Sequence, residues 1–143
     1  METRKLTENE RDIALQLAWK VFLEFEAPDY PPEGTAEFNK ALHDENYLAG
    51  LVYYGAFINE KLVGMIAIRK EQGHLCFFFI EGEYHRQGIG TKLFNIMKED
   101  FIGKTITVNS SPYGLPFYKA IGFVPTSNEQ ITNGIRYTPM KWN

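Results

Sequence analysis

With one cysteine, Cys76, in 143 residues, the chain can form neither an intramolecular disulfide nor a thiolate metal cluster. A reducing cytoplasm is the setting this predicts, with no metal cofactor. Basic charge is also short: 15 Lys and Arg against 18 Asp and Glu leave a net charge of −3. Neutralising a phosphate backbone needs a cationic surplus, so nucleic acid is not an expected partner. No apolar run reaches the ~18 residues of a membrane span, and the acidic opening Met1–Glu8 holds no hydrophobic stretch of signal-peptide length. Repeats, low-complexity tracts and linkers are missing too, which predicts one soluble domain over residues 1–143. A chain of this size buries about two thirds of its unfolded surface. Its 44% apolar and 23% charged content is that of a globular protein rather than a disordered one.

What is present is a set of changing hydrophobic periods. Thr7-Glu8-Asn9-Glu10 has the form of a capping box. The segment after it, to about Glu26, carries Ala14, Ala18, Val21, Phe22 and Phe25 at helical spacing. Pro28, Pro31, Pro32 and Gly34 break it, and a second helix carrying Phe38, Ala41 and Leu42 is expected to end before Tyr47. From Leu51 to Arg69 the period becomes that of two strands around an Asn59-Glu60 turn. Val52, Tyr54, Ala56 and Ile58 fall on one face, Leu51, Tyr53 and Phe57 on the other, so both faces should be covered. A third strand, His74 to Ile80, follows.

The most informative segment runs from that strand through Glu81-Gly82-Glu83-Tyr84-His85-Arg86-Gln87-Gly88-Ile89-Gly90-Thr91 into a helix ending near Phe101. Ile89, Leu93, Phe94, Ile96, Met97 and Phe101 form its apolar stripe. Gly88 and Gly90 remove side chains that would keep a ligand off the backbone. The first-turn amides and the helix dipole, worth about half a positive charge, then favour an anion such as a phosphate. Gly103 stops this helix, a strand at Thr105–Asn109 follows, and a short helix from Pro116 to Ile121 is closed by Gly122. Phe123 to Trp142 reads as two strands around 128–134. The order is β-α-α-β-β-β-α-β-α-β-β, with one parallel crossover through the glycine loop.

The loop His85-Arg86-Gln87-Gly88-Ile89-Gly90 resembles the Q/R-x-x-G-x-G/A pyrophosphate loop of the GNAT superfamily, the acyl-CoA-dependent N-acyltransferases. Asn109-Ser110-Ser111-Pro112-Tyr113, followed by Phe117-Tyr118-Lys119-Ala120-Ile121-Gly122-Phe123, is similar to that family's second signature, and Gly134–Met140 to the closing strand of small bacterial members. One G-x-G is weak evidence; two signatures in order and about twenty residues apart are much stronger. His85 departs from the pattern, standing where the family has Gln or Arg, so its charge there would depend on pH.

The resemblance implies an α/β (α+β) fold: a mixed, mostly antiparallel twisted sheet of about six to seven strands, helices on both faces, and a splayed parallel strand pair holding the cofactor. It implies an N-acetyltransferase that uses acetyl-CoA, by direct attack of a primary amine on a small molecule or peptide. Cofactor contacts would then come from Phe79, Ile80 and Glu81 by backbone, from His85, Arg86, Gln87, Gly88, Ile89, Gly90 and Thr91 around the pyrophosphate, and from Asn109 and Tyr118. The amide of Ile80 would polarise the thioester, and Tyr118 would protonate the departing thiolate, since a phenol with a reference pKa of about 10 is protonated at neutral pH. Glu81 is the expected base, ahead of Glu83. Lys92 joins Arg86 as a cation near the pyrophosphate.

The acceptor would lie against Glu24-Phe25-Glu26-Ala27-Pro28-Asp29-Tyr30, where carboxylates and rings suit a cationic amine. The closing strands are candidate edges of a homodimer. Two other readings remain at this level. One is a non-catalytic acyl-CoA-binding domain, which would not need Tyr118. The other is a nucleotide-binding module, which lacks here the Lys-Ser/Thr pair of a P-loop and the acidic residue of a dinucleotide fold.

Overall fold

The central hairpin is apolar on both faces, and the architecture follows from covering both. In the computed structural model, which describes residues 1–143, β2 (Leu51–Ile58) and β3 (Lys61–Arg69) pair antiparallel. Asn59 and Glu60 join them with φ of 51° and 66°, the left-handed pair a tight two-residue turn requires. β1 (Glu2–Lys5) adds outside β2, and β4 (His74–Ile80) runs antiparallel beside β3. β5 (Ile106–Ser110), β6 (Val124–Pro125), β7 (Gln130–Thr132) and β8 (Ile135–Trp142) complete eight strands in the order β1-β2-β3-β4-β5-β8-β6, with β7 paired to β8. This is the expected mixed, mostly antiparallel sheet. The strand beyond the expected count is the three-residue β7, which falls inside the expected turn at 128–134.

Two helical layers divide the core. On one face, α1 (Arg11–Val21) and α2 (Pro32–Ala41) cover Leu51, Tyr53, Phe57, Phe77 and Phe79. Phe22 stacks on Phe38 at 4.0 Å between centroids, and the Phe38 edge meets Phe77 and Phe79 at 5.7 Å each. On the other face, α4 (Ile89–Lys98) and α5 (Leu115–Ala120) cover Tyr54, Ala56, Ile66 and Ile68. Between α2 and β2 in the chain comes α3 (Glu45–Ala49), a helix absent from the periodic reading and started by Asp44, whose carboxylate accepts the Tyr47 amide at 3.1 Å. The capping box is present, the Thr7 amide donating to Glu10 at 2.9 Å, and it opens one tight turn before α1.

Two local irregularities position the site. First, the helix expected to continue to Glu26 leaves α geometry at Val21. Phe22–Glu26 form a π turn closed by the Ala27 amide on the Phe22 carbonyl. Such turns insert one residue into the helix and re-aim the side chains after it. Apolar spacing alone cannot reveal this, because Phe22 and Phe25 suit either geometry. Second, the only parallel pair, β4 with β5, is two residue pairs long: His74 opposite Thr107 and Leu75 opposite Val108. The His74 Nδ1 to Thr107 hydroxyl contact of 2.8 Å pins this base. Above it the strands part, β5 staying with β8 through Ser110 and β4 with β3 through Ile80.

Candidate active site

The parting of β4 and β5 leaves a strand edge with no strand beside it. The Glu81 amide donates to the Val63 carbonyl at 2.8 Å, which makes Gly64 and Ile80 a narrow, non-hydrogen-bonded pair. By the antiparallel alternation, Phe78 and Ile80 turn their own amides and carbonyls toward the gap. His85 verifies the direction, since its Nε2 donates to the Ile80 carbonyl at 2.6 Å. Its Nδ1 lies 3.2 Å from the Tyr113 hydroxyl, within hydrogen-bond reach. Phe25 packs on both rings, 4.7 Å from His85 and 5.2 Å from Tyr113. His85 was expected at the phosphate. Both of its nitrogens are instead engaged across the mouth of the cleft, so the Ile80 carbonyl is satisfied and the amide alone is left open.

A cavity of about 910 Å³ runs through this gap. It reaches from Ile89, Phe117 and Tyr118 on the α4 face to Phe22, Phe38 and Phe79 on the α1 face, and 16 of its 27 lining residues are hydrophobic. Arg86, Gly88, Ile89, Gly90 and Thr91 line the α4 end. The first helical bond there is from Lys92 to the Gly88 carbonyl, and no side chain caps the helix. The amides of Ile89, Gly90 and Thr91 are therefore free for a ligand. Gly88 holds φ 81° after Arg86 at φ 62°, which aims the loop, and a Cβ on Gly88 would meet nothing within 4 Å. Gly90 serves a second purpose: a Cβ there would touch the Phe117 ring at 3.0 Å. Gln87 bonds the Glu83 carbonyl on the outside at 3.1 Å, and Lys92 is exposed; neither lines the cavity.

Asn109 is exposed at the end of β5 and lines the opposite wall. Tyr118 is 8% exposed, its ring edge-on to Phe78, Phe117 and Phe123 at 6.0, 5.7 and 5.3 Å. No protein group bonds its hydroxyl, and no fully buried side-chain oxygen or nitrogen in the chain lacks a partner, so the phenol oxygen opens into the cavity. Burial, and next the charge of Glu26, push its pKa well above the ordinary tyrosine value.

Glu81 is directed elsewhere. Its side chain lies on the α1 face with Phe77 and Phe79, 2.7 Å from Lys20 and 3.4 Å from Lys61, and does not line the cavity. The Lys20 hydrogen bond holds its carboxyl below the usual range, which weakens it as a base. The acid that does line the cavity is Glu26, at the end of the π turn. Burial raises its pKa to about 7, with the Ser111 hydroxyl opposing and Asp29 assisting. In the sequence Glu26 shares the expected acceptor loop with Glu24 and Asp29; in the structure those two are exposed and Glu26 alone of the three lines the cavity.

The cavity wall has a part that no motif announced. Gly34 of α2 lies backbone against backbone with Gly134, whose φ is 80°, and this contact brings the β7–β8 hairpin and Ile135 to the cavity. Gly34→Ala tests it with opposed signs. Helix propensity alone would stabilise by up to about 1 kcal/mol, whereas the new methyl meets the Gly134 carbonyl, an overpacking cost of about 1–3 kcal/mol. Denaturant unfolding should show a net loss of stability. A gain would mean that the hairpin is not held there.

Residues 26–143 match the family model described as an acetyltransferase (GNAT) domain. Among solved structures, the fold is similar to a GCN5-related N-acetyltransferase from Rhodopseudomonas palustris, with TM-score 0.82, 20% identity and coverage of 99% of this chain and 94% of that one. It is similar also to the PaiA N-acetyltransferase of Thermoplasma acidophilum, solved with coenzyme A, at TM-score 0.73, 21% identity, and 99% and 97% coverage. Escherichia coli ElaA aligns at TM-score 0.72 and 16% identity, over 99% and 97%.

Proposed function

Because the chain belongs to the GNAT acetyltransferase family, we propose that it transfers the acetyl group of acetyl-CoA directly to an amine on a small molecule or peptide. The observation that carries this reading is the free edge of β4 meeting the Tyr118 hydroxyl and the uncapped start of α4 in one cavity. Acetyl-CoA, when bound, supplies an acyl carbon activated as a thioester and a thiol leaving group. Arg86 and the amides from Gly88 to Thr91 hold the pyrophosphate. Asn109 and the backbone from Phe79 to Glu81 hold the amide-rich arm as an added strand would be held. The Ile80 amide is the donor for the thioester carbonyl. His85 acts as a positioning residue, since it occupies the Ile80 carbonyl and leaves that amide as the remaining contact.

Tyr118 gives a proton to the sulfur as the carbon–sulfur bond breaks. Cys76 also lines the cavity, but burial raises its pKa and keeps the thiol protonated, which disfavours an acyl-enzyme route. A non-catalytic acyl-CoA-binding domain would have no use for an unpartnered hydroxyl in the cavity.

The test is thiol release from acetyl-CoA against a panel of monoamines, polyamines, aminoglycosides, amino acids and peptides. Release above background with at least one class is expected. Tight acetyl-CoA binding with no release from any of them would overturn the reading in favour of a binding domain.

A further inference from the structure

On the reading of the chain as an N-acetyltransferase, we propose that Glu26 is the anchor and general base for the acceptor, and that the acceptor is a monoamine carried on an apolar, flat body. Glu26 terminates the π turn and is the one acidic residue that lines the cavity. No cation pairs with its carboxylate and the Ser111 hydroxyl is the side chain set against it, while Glu81 is taken by two lysines and Glu24 and Asp29 are exposed outside the lining. The groups around it are Ser111 of the loop after β5, Asp29 and Tyr30 on its own side, and Tyr118 of α5. Arg86, the cation of the cavity, belongs to the pyrophosphate loop at the α4 end.

The rest of the acceptor end is rings and aliphatics: Phe22, Phe25, Tyr30, Phe38, Phe79 and Ile135. One carboxylate pairs one ammonium. A polycation entering the same space would leave its other charges desolvated and unpaired, a cost that selects against it. A single ammonium instead gains the carboxylate and the ring faces together.

The proton balance also favours Glu26. The ammonium loses two protons on becoming an amide. Glu26 takes the first and passes it to solvent, which frees the nitrogen lone pair to form the bond to the acyl carbon. As the carbon–sulfur bond breaks, the Tyr118 proton goes to sulfur. The second nitrogen proton then restores Tyr118 through Glu26. The two groups are coupled, because the charge of Glu26 is the second cause that raises the Tyr118 pKa and so keeps the phenol protonated until sulfur departs.

The sign of the pH dependence follows. A base must be ionised, so wild-type kcat/KM rises with pH through about 7 and then levels. With phenethylamine as the probe, Glu26→Gln should lower kcat/KM by roughly 100-fold or more and abolish that limb. Glu26→Asp should recover part of the rate and keep the limb. The acetyl-CoA dissociation constant and the melting temperature of both variants serve as folding controls and should stay near wild type. Spermidine and kanamycin should be at least about tenfold poorer than phenethylamine, a margin that one lost ionic contact supplies.

If wild type acetylates an amine while Glu26→Gln turns over within threefold of it and keeps the limb near 7, Glu26 is not the base. A ranking that places spermidine or kanamycin above phenethylamine overturns the acceptor class. A wild type inert toward every amine is a different outcome, because it removes the N-acetyltransferase reading on which this inference rests.

Discussion

Tyr118→Phe lowers kcat by roughly two to four orders of magnitude and leaves the acetyl-CoA dissociation constant within a factor of about two. The expectation is sharp because the hydroxyl makes no bond to the protein, whereas the ring packs on Phe78, Phe117 and Phe123. The variant keeps every ring contact and leaves no partner unsatisfied, so its stability should change by less than about 0.5 kcal/mol. Any loss of rate then reports the proton. Burial and the nearby Glu26 charge keep the phenol protonated through the working pH range, so wild-type kcat should show no decline from tyrosine ionisation up to pH 10. Thiol release followed from pH 6 to 10 measures both points. Equal kcat for the two proteins across that range would remove Tyr118 from the chemistry.

Much of the scaffold is written locally. The two faces of β2 were legible because alternation has a period of two: Tyr54 and Ala56 lie in the α4-side core and Leu51, Tyr53 and Phe57 in the α1-side core. The stripe of α4 was legible for the same kind of reason, with Ile89, Leu93, Phe94 and Met97 buried. Less visible were elements too short to repeat a pattern. β7 spans three residues and α3 spans five, and neither completes two periods from which to read it.

At the site, the backbone features were legible and three side-chain placements were not. A glycine loop before an amphipathic helix is a local signal, and it led to the free amides of Ile89, Gly90 and Thr91. Glu81 was drawn toward catalysis by sequence adjacency to Ile80. Strand alternation instead sends its side chain to the α1 face, where Lys20, 61 positions away, captures it. His85 was read through the phosphate pattern, while its partners Ile80 and Tyr113 depend on how β4, the loop after β5 and Phe25 meet in space. Glu26 needed the π turn, a one-residue insertion to which hydrophobic spacing is blind.

Gly88→Glu should weaken coenzyme A binding by roughly 100-fold or more, as like-charge contacts costing several kcal/mol predict. Two effects combine at this position. The backbone sits at φ 81°, where a side chain costs about 1–2 kcal/mol. The new carboxylate then stands before the amides of Ile89, Gly90 and Thr91 and competes for the anion site they form. Gly88→Asn separates the two, because Asn tolerates the left-handed region and a Cβ at Gly88 has open space around it. The Asn variant should bind coenzyme A within about fivefold of wild type, since the residual strain is under about 1 kcal/mol. Gly90→Ala offers a third arm, because its methyl meets Phe117 at 3.0 Å and tests packing of α4 against α5 instead of the ligand. Titration calorimetry with coenzyme A reads all three, and an affinity unchanged in Gly88→Glu would detach the pyrophosphate from this loop and with it the orientation of the whole cleft.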